Sequence, residues 1–132
     1  MDITNDHILT VVGQTGLPIV LSTGLASLEE IAHAVGTIEG TGNRDIAILH
    51  CVSLYPPPDD AVNLNNIGML REVFGYPVGF SDHTAGAEIP LAAIALGASV
   101  IEKHFTTDKE LPGWDHAVSA DPQEMQVICR GA

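Results

Sequence analysis

The stretch Phe80-Ser81-Asp82-His83-Thr84 has the pattern of a β-strand that ends in a histidine. A second stretch of the same kind, Val100-Ile101-Glu102-Lys103-His104-Phe105, follows after a helix-length segment. In a parallel α/β sheet the C-terminal ends of consecutive strands are neighbours, so both imidazoles can reach one ligand. We therefore expect a site at these strand ends, where His83 and His104 bind a metal ion and Glu102 lies beside it.

Strand and helix signals alternate along the rest of the chain. Short apolar runs at 18–23, 46–53, 77–81 and 99–105 predict buried parallel strands. Apolar residues at helical spacing predict a helix after each strand and another before the first strand, and Ser27 and Asp121 are typical helix caps. The spacing of the strands is that of repeated βα units.

Four βα units are half of a (β/α)₈ TIM barrel, a fold that typically takes about 250 residues. We expect residues 1–132 to form one partial barrel domain, with no second domain, that supplies the last four units of the barrel. This expectation makes the chain the C-terminal half of a larger barrel. The alternative is a complete doubly wound sheet of four strands, which would leave two exposed edge strands.

Side-chain alternation strengthens the prediction of a site. Successive residues of a strand point to opposite faces of the sheet. Ser81 therefore shares a face with His83, and Glu102 shares a face with His104. If both faces point into the barrel, the four side chains converge at its C-terminal mouth, and Lys103 faces away from it. The opposite faces then offer apolar side chains to the covering helices: Val78, Phe80, Ile101 and Phe105.

Composition limits the classes of partner. The chain has 17 acidic and 5 basic residues, a net charge of −12, which disfavours nucleic acids and anionic membranes because both require Lys and Arg. A hydrophobic content of 45% predicts a globular core. No apolar run reaches the roughly 18 residues of a membrane span. Cys51 and Cys129 have neither metal-site nor disulfide spacing, so we expect Cys51 to be a buried free thiol in a cytoplasmic protein.

The donor types constrain the chemistry at the strand ends. Two imidazoles that leave other positions to water and substrate oxygens suit Mn²⁺, Fe²⁺, Co²⁺ or Zn²⁺. His50 falls within the second predicted strand, where we expect a structural role. A metal-dependent aldolase or sugar isomerase is an alternative on the same fold, although it would need a Schiff-base lysine or further carboxylates at the strand ends.

Several motifs, in order along the whole chain, resemble those of the sialic acid synthases, a family that includes N-acetylneuraminate synthases and their legionaminate, pseudaminate and spore-coat polysaccharide relatives. These motifs are Ser22-Thr23-Gly24, His50-Cys51-Val52-Ser53-Leu54-Tyr55-Pro56, Ser81-Asp82-His83-Thr84, Ile101-Glu102-Lys103-His104-Phe105-Thr106 and Pro112-Gly113-Trp114-Asp115-His116. The chain departs from the family at Leu25, where Met is usual, and at Trp114, where Pro is usual.

The resemblance implies a TIM-barrel enzyme that condenses phosphoenolpyruvate with an N-acylmannosamine-type aldose. The products are a nine-carbon 2-keto sugar acid and phosphate. By the same resemblance, His83 and His104 bind a divalent metal, with Mn²⁺ expected first and Mg²⁺ or Co²⁺ as alternatives. Glu102 handles protons beside the metal. The substrate-binding residues implied in this way are Ser22, Ser53, Tyr55, Ser81 and Asp115.

Against the family pattern, we expect the segments that carry the N-terminal glutamate, the phosphoenolpyruvate-binding lysines and the C-terminal antifreeze-like domain to be missing. Lys103 faces away from the barrel and Lys109 lies in a predicted loop, so neither is expected to replace those lysines. We therefore expect the isolated chain to be inactive and to associate as a homodimer. The alternative function is that of an inactive or split-gene fragment that works only with a complementary N-terminal half.

Overall fold

The computed structural model describes residues 2–132 and contains one parallel sheet in the order β1-β2-β3-β4. The strands are β1 (Ile19–Ser22), β2 (Ile46–Cys51), β3 (Val78–Asp82) and β4 (Ile101–Lys103). The helices are α1 (Asp6–Gln14), α2 (Leu28–Gly40), α3 (Asn65–Phe74), α4 (Glu88–Ala95) and α5 (Pro122–Gly131), and a 3₁₀ turn spans Asp59–Ala61. The predicted alternation of strands and helices is confirmed.

Local sequence explains where the helices begin. Ser27 caps α2 by accepting a hydrogen bond from the backbone N–H of Glu30, whose carboxylate in turn accepts one from the backbone N–H of Ser27. Asp121 and Glu124 form the same reciprocal box at α5, with Pro122 in the first turn. Such boxes satisfy N–H groups that a helix start leaves without partners.

The hydrophobic core lies between the helices and one face of the sheet. Alternate strand residues such as Ile48, Val78 and Phe80 are buried there together with helix residues such as Ile38 and Ile67. Connections between sequentially adjacent parallel strands have one hand, so their helices cover the same face of the sheet. A doubly wound sheet covers both faces. The observed arrangement therefore matches consecutive βα units in a barrel wall.

The opposite face of the sheet includes Val20, which is 56% exposed. Val78, Phe80 and Ile101 pack on the helix side, as predicted. The prediction for Phe105 was wrong, because this residue is 54% exposed. The regular strand β4 ends at Lys103, and Phe105 makes only an isolated bridge to Ala120.

Within residues 2–132, none of the helices combines the length and the apolar character needed to cross a lipid bilayer.

Candidate active site

The ends of β3 and β4 bring His83 and His104 together. Asp82 and Lys103 are the last paired residues of the two strands, so the histidines that follow them are neighbours. Their ring centroids lie 5.3 Å apart. The Tyr55 ring lies 4.2 Å from His83 and 5.8 Å from His104, measured between centroids. Three aromatic rings from three successive strand ends therefore form one cluster.

Ser81 and Glu102 lie directly below the two histidines in the sheet. They are register partners, and the Ser81 hydroxyl donates a hydrogen bond to Glu102 Oε1 at 2.6 Å. Ser81 is buried and Glu102 is exposed. The serine thus fixes one carboxylate oxygen, and no hydrogen bond to Oε2 forms within residues 2–132. The convergence predicted from strand alternation is present in the structure.

Cys51 is a free thiol, as predicted, but it is not buried as predicted. It is half-buried, and its Sγ lies 4.0 Å from His83 Nδ1 and 4.0 Å from Ser53 Oγ. Burial raises the pKa of the Cys51 thiol, but hydrogen bonds from His83, Ser22 and Ser81 outweigh this effect, so the pKa is lowered. The strand register explains the position of Cys51, because Cys51 pairs with Ser81 and therefore lies beside the site.

The pKa of His83 moves in the opposite direction. The hydrogen bond with Cys51 raises it most, while burial lowers it by a smaller amount. Ser22 and Ser53 thus contact the cluster through Cys51, and Tyr55 contacts it through the rings of both histidines. These predicted binding residues lie at the same edge of the sheet as His83.

The loop after β4 brings Asp115 to the site. Asp115 Oδ2 lies 3.8 Å from His104 Nδ1. The Ser119 hydroxyl donates to the Asp115 backbone carbonyl at 2.7 Å, and His116 Nδ1 lies 2.8 Å from Thr106 Oγ1. The sequence pattern assigned no role to His116. In the structure its contact with Thr106 connects the middle of the loop to the residues at which the loop begins. Trp114, next to Asp115, is 97% exposed.

His50 has the structural role that its mid-strand position predicted. Its buried ring donates from Nε2 to the Val62 carbonyl at 2.7 Å. Burial lowers the pKa of His50, and the bond to Val62 opposes this shift. The contact anchors the segment that follows Tyr55 to β2.

Two imidazole side chains are the nitrogen donors at these strand ends. A cleft of about 290 Å³ opens between the ends of β3 and β4. Residues 2–132 contain no group of three or more His, Cys, Asp or Glu side chains placed to hold a metal. The adjacent rings of His83 and His104 are thus the available nitrogen donors, and they suit a metal whose other positions are filled by water and substrate oxygens.

Comparison with known proteins identifies the family of this site. The model of the NeuB family matches residues 1–132. The chain belongs to the NeuB family. This NeuB family chain is 45% identical to the N,N'-diacetyllegionaminic acid synthase of Campylobacter jejuni, over 97% of the chain and 39% of that relative. It is 42% identical to the spore coat polysaccharide biosynthesis protein SpsE of Bacillus subtilis, over 98% of the chain and 35% of that relative.

Solved structures show the same similarity. The crystal structure of SpsE from Bacillus subtilis matches with a TM-score of 0.95 at 42% identity, over 98% of this chain and 37% of that one. The N-acetylneuraminic acid synthetase of Leptospira borgpetersenii, in complex with citrate, matches with a TM-score of 0.94 at 41% identity, over 98% and 45%. The NeuB family chain thus spans less than half the length of these relatives.

Proposed function

We propose that this NeuB family chain is part of a (β/α)₈ barrel enzyme that condenses phosphoenolpyruvate with an N-acylmannosamine-type aldose. The observation that carries the proposal is the Ser81–Glu102 hydrogen bond beside the paired rings of His83 and His104. Relatives named as N,N'-diacetyllegionaminic acid synthase and N-acetylneuraminate-9-phosphate synthase support a sugar-acid product. The C-terminal ends of barrel strands are also where barrel enzymes place their active sites.

In the proposed reaction, C3 of phosphoenolpyruvate forms a bond to the aldehyde carbon of the sugar, and the aldehyde oxygen becomes a hydroxyl. Water adds at C2, and phosphate leaves by cleavage of the C–O bond. Glu102 Oε2 is free to accept a proton from this water, because the bond from Ser81 fixes Oε1. A positioned carboxylate of this kind typically contributes about 100- to 10,000-fold to a rate.

His83 and His104 would hold a divalent metal, with Mn²⁺ preferred and Mg²⁺ or Co²⁺ as alternatives. A metal held there would supply a Lewis acid for the sugar aldehyde and the attacking water. Tyr55 contacts both imidazole rings and so restricts their orientation. Each histidine also has a polar neighbour at its Nδ1 atom. Cys51 lies near Nδ1 of His83, and Asp115 lies near Nδ1 of His104.

The remaining polar side chains at this edge are suited to substrate binding. Ser22, Ser53, Tyr55 and Ser81 would bind phosphoenolpyruvate and line its pocket. Asp115 would accept hydrogen bonds from sugar hydroxyls. Trp114 replaces the proline that is usual in the family and lies beside Asp115, so the sugar pocket would differ here from that of a typical relative.

The charges of the chain support a requirement for further residues. Lys103 is paired with buried Asp82, and Lys109 Nζ lies 2.6 Å from Glu124 Oε2. Neither lysine is therefore available to neutralise phosphoenolpyruvate, and the net charge of −12 repels an anion. We propose that the isolated chain is inactive, that it associates as a homodimer, and that activity needs a complementary barrel half.

The test has two parts. Phosphate release from phosphoenolpyruvate, N-acetylmannosamine and Mn²⁺ is measured for the 132-residue chain, alone and co-expressed with the complementary half of a relative's barrel. We expect release only from the combined protein. Turnover by the chain alone would refute the need for further residues. No release from a folded, combined barrel with any N-acylated mannosamine would refute the condensation.

The second part tests the metal site. Mn²⁺ affinity is measured by calorimetry for His83→Ala and His104→Ala, with His33→Ala as the control. His33 is exposed, its Nε2 lies 2.9 Å from Asp6 Oδ1, and it is far from the strand ends in sequence. We expect the first two variants to lose most Mn²⁺ binding and the control to retain it. Unchanged affinity in both site variants would exclude the two-histidine site.

A further inference from the structure

A buried ion pair joins β3 and β4 immediately behind the candidate site. Lys103 Nζ lies 2.5 Å from Asp82 Oδ2, and the two side chains are 2% and 0% exposed. Asp82 stands between Ser81 and His83 in the chain, and Lys103 stands between Glu102 and His104. Because strand residues alternate, the pair occupies the opposite face of the same strand ends.

The pair belongs to a small network in which each contact is short. Asp82 Oδ1 accepts hydrogen bonds from the Thr84 backbone N–H at 2.9 Å and from the Thr84 hydroxyl at 2.8 Å. Lys103 also donates to the Thr84 backbone carbonyl at 2.6 Å. The network therefore links the end of β4 to residues on both sides of His83.

The location of the network gives it a geometric role. Asp82 and Lys103 are the last register pair of the two strands, so the regular ladder ends there. Strand β4 has only three residues. The backbone at His83 and His104 thus lies beyond the ladder, where the Asp82–Thr84–Lys103 network supplies the next connections between the two strand ends.

Stability alone does not explain the choice of residues. A buried ion pair loses much of its Coulombic gain to desolvation, and apolar residues of similar volume often stabilise a protein as well or better. Directional hydrogen bonds, by contrast, fix relative positions. This difference favours a role in geometry over a role in holding the fold together.

We propose that Asp82, Thr84 and Lys103 form a clamp that sets the spacing of the His83 and His104 rings. They are positioning residues, because the charged side chains of Asp82 and Lys103 are buried and paired with each other, and they act through the backbone of the two histidines. The consequence for metal affinity rests on the proposed function, whereas the spacing of the rings does not. Loss of the clamp leaves both donors in the chain but removes their fixed separation of 5.3 Å between centroids.

The test uses the double variant Asp82→Asn/Lys103→Met in the 132-residue chain. This variant removes both charges together, so no unpaired charge stays buried, and it keeps the side-chain volumes close to the originals. Lys109→Met is the matched control, because it makes the same lysine substitution in the half-exposed pair with Glu124. Thermal unfolding verifies that each variant is folded.

Imidazole ¹H–¹⁵N spectra of the metal-free chain report the clamp directly. In the double variant we expect the His83 and His104 signals to shift or broaden, while the signal of His33, which is exposed and paired with Asp6, is unchanged. Lys109→Met should leave all of these signals in place. Equal His83 and His104 spectra in the double variant and the control would overturn the proposal.

Two further variants cover the case in which the double variant does not fold. Lys103→Arg keeps the positive charge, so its His83 and His104 signals should stay close to those of the original chain. Thr84→Val removes only the hydroxyl donor to Asp82, so it should shift the His83 signal. Unchanged signals at His83 in folded Thr84→Val, together with an altered spectrum in Lys103→Arg, would also overturn the clamp.

Calorimetry with Mn²⁺ then separates this proposal from the function on which its consequence rests. We expect the double variant to bind Mn²⁺ roughly 10- to 100-fold more weakly than the original chain, the usual effect of removing residues that support metal ligands. If the original chain binds no Mn²⁺, the metal site fails while the imidazole spectra still decide the clamp. If both proteins bind equally, the clamp does not control affinity.

Discussion

Replacing Glu102 by glutamine tests whether this residue handles protons. The side chains have nearly the same shape, and a glutamine carbonyl oxygen can still accept the 2.6 Å hydrogen bond from the Ser81 hydroxyl. The substitution therefore keeps the local geometry and removes only the ability to take up a proton. If Glu102 is a general base, we expect the rate of the complete barrel to fall by about 100- to 10,000-fold.

The expected loss corresponds to about 2.7 to 5.4 kcal/mol in the activation free energy, at about 1.36 kcal/mol for each tenfold change. Ser81→Ala provides the comparison. It removes one hydrogen bond to a charged group, which contributes about 1.5 kcal/mol at the lower end of the usual range. The lower end applies because Glu102 is exposed and solvent screens the interaction. We therefore expect the loss of this bond in Ser81→Ala to account for only about a tenfold fall in rate.

The assay combines the rate of phosphate release with Mn²⁺ affinity measured by calorimetry. For Glu102→Gln we expect nearly unchanged affinity and a much lower rate. A rate within tenfold of the original would refute the role in proton transfer. Loss of metal together with activity would instead make Glu102 a ligand, which would contradict the assignment of the site to two histidines.

Three further predictions use other features of the chain. Burial lowers the pKa of His50 below its usual 6.5, so below that pH the unfolded chain binds more protons than the folded chain, and stability should fall on acidification. His50→Gln should reduce this pH dependence in thermal melts. Equal slopes of melting temperature against pH for the two proteins would contradict the prediction. Trp114 is the sole tryptophan of this chain and is 97% exposed. Binding of N-acetylmannosamine should therefore change the fluorescence emission of Trp114 in the complete barrel. An unchanged emission spectrum at saturating sugar would mean that the sugar binds elsewhere. Sedimentation of the isolated chain should show a dimer or larger species, because the exposed sheet face around Val20 favours association, and a stable monomer would refute this expectation.

Much of the fold is already determined by local patterns in the sequence. Apolar runs predicted all four strands, and the reciprocal capping pairs Ser27–Glu30 and Asp121–Glu124 marked the starts of two helices correctly. These signals are readable because strand alternation and helix caps depend on residues only a few positions apart. The order of strands and helices along the chain was sufficient to predict that His83 and His104 lie at one edge of the sheet.

Only the tertiary structure decided which side chains meet across the strands. The contact of Cys51 with His83, the burial of Lys103 against Asp82 and the approach of Asp115 to His104 depend on strand register and on how a long loop closes. Residues far apart in sequence approach each other only after the sheet has formed, so no local period encodes their distances. Phe105 shows the same limit, since its exposure follows from the point at which β4 leaves the sheet. The sequence by itself thus determined the strands, the helices and the family motifs, while the fold decided how the site is supported from behind.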